Sequence, residues 1–128
     1  MKILGVIVND NLRATDHVAE LISSCSRGLY ALRVLRSHGL FEVSLHGVTK
    51  ATVVARLLYA APAWWGFTTA EDRNKLDKFL NRTRRMGYLP GDSPAVSKMV
   101  REAEDKLAYY RLLLLTNFTS CVACSLNY

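Results

Sequence analysis

Residues that staple or interrupt a chain are scarce here: 3 cysteines and 3 prolines in 128 residues. Three thiols cannot all pair with one another, which excludes a disulfide framework. With no secretory signal ahead of the first apolar run, we expect reduced thiols in an intracellular compartment, cytoplasmic and/or nuclear. The triplets Asn81-Arg82-Thr83 and Asn117-Phe118-Thr119 would matter only in a secreted protein. A long apolar run is also missing. The longest, Ala51 to Phe67, is broken by Arg56 and Pro62 and is shorter than the ~20 residues that span a bilayer, so no membrane partner is expected. There are no internal repeats, no low-complexity tracts and no Gly/Ser linker.

Catalytic signatures are equally sparse. No Gly-rich phosphate loop occurs, and no adjacent carboxylate pair follows a strand, as two-metal polymerase chemistry requires. Asp10 and Asp16 stand alone, in a turn and at a helix cap. Cys121 and Cys124 have the spacing of half a zinc site, but no second Cys/His pair completes it. His17, His38 and His46 are too scattered to form a ligand set, and none has a serine and a carboxylate at a spacing that suggests nucleophilic catalysis. We expect no catalytic residue, no metal site and no cofactor in this chain.

What remains is enough for one core. Half the residues are hydrophobic and 22% are charged, and the mean hydropathy is +0.06, which excludes the highly charged, apolar-poor class of disordered chains. Ile3 to Val8 is a short β-branched run closed by Asn9-Asp10-Asn11, which reads as one strand and a loop. No partner strand is evident, so the strand needs a helical cover or a sheet supplied by sequence beyond this chain.

Four helices follow. From Thr15 or Asp16, apolar residues at Val18, Leu21, Ile22, Cys25, Leu29 and Leu32 mark an amphipathic helix ending at Gly39. A second runs from about Ser44 until Pro62 kinks or stops it. Thr69 opens a third, with Asp72 placed for a capping box and Gly87 and Pro90 at its end. Ser93 as N-cap and Pro94 at the first position open a fourth, with Val96, Met99, Val100, Ala103, Leu107, Tyr110 and Leu114 as its buried face. The expected fold is mainly α: one N-terminal strand and about four helices packed as a small bundle over residues 1–116. Residues 117–128 form a tail without a clear period.

The net charge is +6, which makes nucleic acid the first partner to test. The excess is uneven. Ala70 to Pro90 has six basic and three acidic residues, whereas Gly91 to Tyr128 has four of each. On the third helix Lys75, Lys78, Arg82 and Arg85 follow spacings of three, four and three, which keeps them within roughly 80° of one another at ~100° per residue. Two readings fit this stripe: a track that neutralises phosphates without reading sequence, or a solvated helix face partly offset by Glu71, Asp72 and Asp77. Arg27, Arg33, Arg36 and Arg56 share no single face and read as solvated. Trp64 and Trp65 suit either base stacking or, more simply, anchoring of helix packing.

The order of motifs resembles a known family. Lys2-Ile3-Leu4-Gly5-Val6-Ile7-Val8-Asn9-Asp10-Asn11-Leu12, then Asp16-His17-Val18, is similar to the segment that follows the palm in reverse transcriptases of non-LTR (LINE-class, jockey-like) retrotransposons. Lys50-Ala51, Leu57-Leu58-Tyr59-Ala60-Ala61-Pro62-Ala63-Trp64, then Asp72, Leu76 and the Arg82/Arg84/Arg85 cluster resemble that family's helix, its Tyr-Ala/Gly-x-x-x-Trp stretch and its basic helix. The similarity covers roughly residues 2–116. Ile3 stands where the family has an aromatic residue. The family's aromatic-x-Asp-Asp hairpin and its other metal-binding Asp lie upstream of residue 1.

The resemblance implies a C-terminal piece of an RNA-directed DNA polymerase, made of the last palm strand and the thumb, with no activity alone. Lys2, Leu4, Gly5 and Val6 would form a primer-grip-like strand, and Lys75, Lys78, Arg82 and Arg85 a nucleic-acid-binding surface. The implied partners are an RNA/DNA template–primer and the fingers and palm of the parent polymerase, with magnesium only in that palm. A small helical protein–protein interaction module, with Trp64, Trp65 and Phe67 as an exposed anchor patch, is the alternative.

Overall fold

A computed structural model describes the backbone of residues 2–125 and the side chains of residues 2–116. The chain is mainly helical, as expected, with a short N-terminal sheet. The expected single strand is instead a hairpin. β1 (Lys2–Ile3) pairs antiparallel with β2 (Val6–Ile7), in the register Lys2↔Ile7 and Ile3↔Val6. Leu4 and Gly5 form the two-residue turn, at φ 49° and 86°. Two left-handed residues in a row are what a type I′ hairpin turn demands, because its twist matches that of the strands. Gly5 therefore reverses the chain rather than extending it. The edge that seemed to need an outside partner is partly satisfied within residues 2–7.

α1 (Thr15–Ser37) buries Val18, Leu21, Cys25, Leu29 and Leu32, the stripe that its periodicity marks. It ends in a Schellman motif: Gly39 sits at φ 87°, its N–H donates to the Arg36 carbonyl, and the Leu40 N–H donates to the Leu35 carbonyl. α2 (Glu42–Thr49) continues through a π-helical turn over Lys50–Val54 into α3 (Ala55–Leu58). Pro62 does not end this run. The break falls at Ala60, at φ 51°, and Pro62 sits in the first turn of α4 (Ala61–Trp64), where a missing N–H costs little. A 3₁₀ turn over Trp65–Phe67 leads to α5 (Ala70–Arg85).

Trp64 lies at the centre of the core and is fully buried, as are Leu45, Leu57, Leu76 and Leu80. Its indole N–H donates to the Tyr59 carbonyl at 3.0 Å, and the His17 ring meets it edge-on at 5.0 Å. The tryptophans therefore anchor packing and form no exposed patch. Of that trio only Phe67 is well exposed, at 45%.

α6 (Val96–Ser125) departs most from expectation. Ser93 does not cap it, because its hydroxyl turns back to the Pro90 carbonyl; the Asp77 carboxylate accepts the Val96 N–H instead. Val96 and Val100 are buried, but Leu107, Tyr110 and Leu114 are 51%, 62% and 70% exposed. At 1.5 Å per residue, α6 is ~45 Å long and α5 only ~24 Å, so α6 outruns the body it packs against. Its backbone also continues to Ser125, past the expected boundary at residue 116. The side chains of Cys121 and Cys124 and the Asn117 triplet lie outside the described residues.

Candidate nucleic-acid interface

The basic stripe depends on how α5 is fixed at its two ends. At the N-terminus, the capping box forms. The Thr69 hydroxyl accepts the Asp72 N–H at 3.2 Å, and the Asp72 carboxylate accepts the Thr69 N–H at 3.1 Å and its hydroxyl at 2.8 Å. The same carboxylate accepts the Thr15 hydroxyl at 3.0 Å, which ties the start of α5 to the start of α1. Burial pushes the Asp72 carboxyl up, but the hydrogen bonds from Thr69 and Thr15 and the nearby Lys75 outweigh it and hold its pKa below the ordinary 3.8.

At the C-terminus, α5 ends in a second Schellman motif. Gly87 is at φ 83°, its N–H donates to the Arg84 carbonyl, and the Tyr88 N–H donates to the Thr83 carbonyl. Arg36, from the last turn of α1, donates to the Met86 carbonyl at 2.7 Å and lies over the Tyr88 ring at 5.6 Å. Starts and ends of the two helices thus meet in pairs, so α1 and α5 lie side by side in the same direction.

On this frame Lys75, Lys78, Arg82 and Arg85 are all exposed along one flank of α5. The acidic residues that could offset them are largely committed elsewhere. Asp72 is buried in the cap, and Asp77 caps α6 from the opposite flank. Glu71 pairs with Lys75 at 3.0 Å, and the Asp72 charge also reaches Lys75, so both act at the N-terminal end of the stripe and not at Lys78, Arg82 or Arg85. Among the described residues, Lys78, Arg82 and Arg85 have no ion-pair partner. This distinguishes the stripe from a face whose charges cancel. The neighbouring arginines play different parts. Arg84 holds Asn81 and the Pro94 carbonyl, at 2.7 and 2.8 Å. Arg73 donates to Thr68 and the Trp65 carbonyl and stacks over the Trp65 ring at 4.8 Å.

The primer-grip-like residues lie elsewhere. Lys2, Leu4 and Gly5 are exposed on the hairpin, and Val6 is buried beneath it. Lys2 and Gly5 line a cavity of about 390 Å³ with His17, Ser24, Arg56 and Tyr59. The residues that α1 contributes there, His17 to Ser24, lie roughly half a helical turn from those it presents toward the stripe. The two expected surfaces therefore sit on opposite faces of α1. The structure does bring Arg33 to the stripe: it lines a groove shared with Arg82 of α5. Sequence reading treats Arg33 as solvated, because the signal lies in a helix crossing and not in a local spacing.

Among the described residues no cluster of His, Cys, Asp or Glu could hold a metal ion, and no helix is long and apolar enough to cross a membrane. Comparison with protein-family models, with curated proteins and with solved structures finds no match.

Proposed function

We propose that the chain is the palm-edge and thumb portion of a retrotransposon RNA-directed DNA polymerase, and that it binds template–primer through phosphate contacts without being catalytic alone. The motif order from Lys2 to Arg85 suggests the family. The observation that carries the binding role is the stripe itself: Lys78, Arg82 and Arg85 are exposed and without carboxylate partners among the described residues. Each such cation can neutralise a phosphate and release its counterions without reading sequence. Anisotropy titrations with labelled template–primer duplexes of unrelated sequence test this. Similar affinities for all of them, abolished in a Lys75/Lys78/Arg82/Arg85→Glu variant, are expected; full affinity in that variant overturns the proposal.

The second reading, a helical module for a protein partner, now draws on α6 instead of the tryptophans. Leu107, Tyr110, Leu112 and Leu114 are each more than half exposed. From Leu107 to Leu115 only Arg111 interrupts the apolar residues, and a helical stretch apolar nearly all round is ordinarily covered by another chain or domain. Light scattering on the native chain and on a Leu112→Asp/Leu114→Asp variant tests it. Association abolished by that variant favours this reading with a second copy as the partner; a native chain monomeric at all concentrations excludes a second copy.

A further inference from the structure

The groove between α1 and α5 is lined by Ser26, Tyr30 and Arg33 from α1 and by Phe79 and Arg82 from α5, with the buried Tyr88 behind them; no carboxylate lines it. Its volume is about 190 Å³, well below the ~300–1,000 Å³ of pockets that enclose a whole small molecule. It has room for no more than a single ring-sized group. Tyr30 is 70% exposed at its rim, and among the described residues the ring has no stacking partner and the hydroxyl no hydrogen bond. Ser26, Tyr30 and Arg33 are spaced by four and three, so they stand along one line of α1 facing the stripe.

We infer that this groove is a stacking subsite for one unpaired nucleobase, so that the stripe prefers a single-stranded segment of nucleic acid to a continuous duplex. The inference rests on the nucleic-acid reading of the stripe. Arg82 belongs both to the phosphate track and to the groove, so a strand whose backbone follows Lys78, Arg82 and Arg85 passes beside Tyr30 and Arg33. In a duplex the base faces are covered by their neighbours; in a single strand they are open to an aromatic ring or a guanidinium plane. Stacking on such a platform tolerates any base, which agrees with a surface that reads no sequence.

The test is anisotropy with a labelled single-stranded oligonucleotide and with the blunt duplex of the same sequence. Tyr30→Leu keeps the apolar bulk and removes the aromatic face, at an exposed position where folding tolerates it. It should weaken single-strand binding roughly five- to 150-fold and change duplex binding by no more than about twofold. Tyr30→Phe should retain native affinity, and the Tyr30 ring protons should shift upfield when the single strand is added. Equal effects of Tyr30→Leu on both ligands, or none on either, overturn the stacking subsite while leaving the phosphate stripe standing. A native chain that binds neither ligand at low salt overturns both.

Discussion

Asp72 ties the start of α1 to the start of α5 through one carboxylate oxygen, and replacing it should cost more than any other polar change among the described residues. The residue is 1% exposed, and the oxygen accepts the Thr15 hydroxyl, the Thr69 N–H and the Thr69 hydroxyl at 3.0, 3.1 and 2.8 Å. Hydrogen bonds to an ionised acceptor contribute ~1.5–3 kcal/mol each when the group is buried, and a helix cap ~1 kcal/mol; these overlap and do not add fully. Asp72→Ala should therefore destabilise by about 3–5 kcal/mol, a large share of the ~5–15 kcal/mol typical of a domain. Asp72→Asn, which keeps the volume but not the charge, should lose about half of that.

Urea unfolding followed by circular dichroism at neutral pH measures both. The acid limb gives an independent check. Because the folded carboxyl titrates below the ordinary 3.8, its stabilisation is complete above that value and is lost as pH falls from there through the folded pKa. In Asp72→Asn this part of the limb should be absent. An Asp72→Ala cost below ~1 kcal/mol, or an acid limb unchanged in Asp72→Asn, would refute the role given to this carboxylate.

Two further outcomes follow from buried groups. Burial lowers the pKa of His17 below 6.5, and its Nδ1 accepts the Ile7 N–H at 3.4 Å, so protonation breaks a tie between α1 and the hairpin. The unfolded chain takes up this proton first; stability should be level above 6.5 and fall as pH drops through it, and a His17→Phe variant that keeps the same slope would count against this. Burial also pushes the Cys25 thiol up to about 11 from 9.0, so at pH 8 its thiolate should be roughly a hundred times scarcer than that of an ordinary cysteine. In a Cys121→Ser/Cys124→Ser background a thiol reagent should modify Cys25 only on unfolding, and rapid native labelling contradicts its placement in the core.

How far the fold is legible from sequence depends on whether each signal is local. The α5 capping box needs only Thr69 and Asp72 three residues apart, and the end of α1 needs only Gly39, so both can be read directly. The α1 core stripe is equally plain, because one amphipathic period decides it. The hairpin is missed because Leu4 enters a left-handed turn that a β-branched run gives no reason to expect; Gly5 alone hints at it. The Ala60 break is hidden in the same way behind the more conspicuous Pro62. α6 has a plain helical period from Val96 to Leu114, yet periodicity cannot say how much of a helix finds something to pack against. For the site, spacing places Lys75, Lys78, Arg82 and Arg85 on one face. Only tertiary packing turns Asp77 to the start of α6, away from the stripe, and brings Tyr30 and Arg33 alongside.

The central claim, that the α5 stripe holds phosphates, is tested most directly by the salt dependence of binding to a blunt duplex. For the native chain, log affinity should fall linearly with log salt concentration. Replacing Lys75, Lys78, Arg82 and Arg85 together with glutamine should flatten that slope by up to about 3.6, which is ~0.9 for each phosphate no longer neutralised, with no change in sequence preference. A native affinity indifferent to salt, or a slope that the four substitutions leave unchanged, would contradict it.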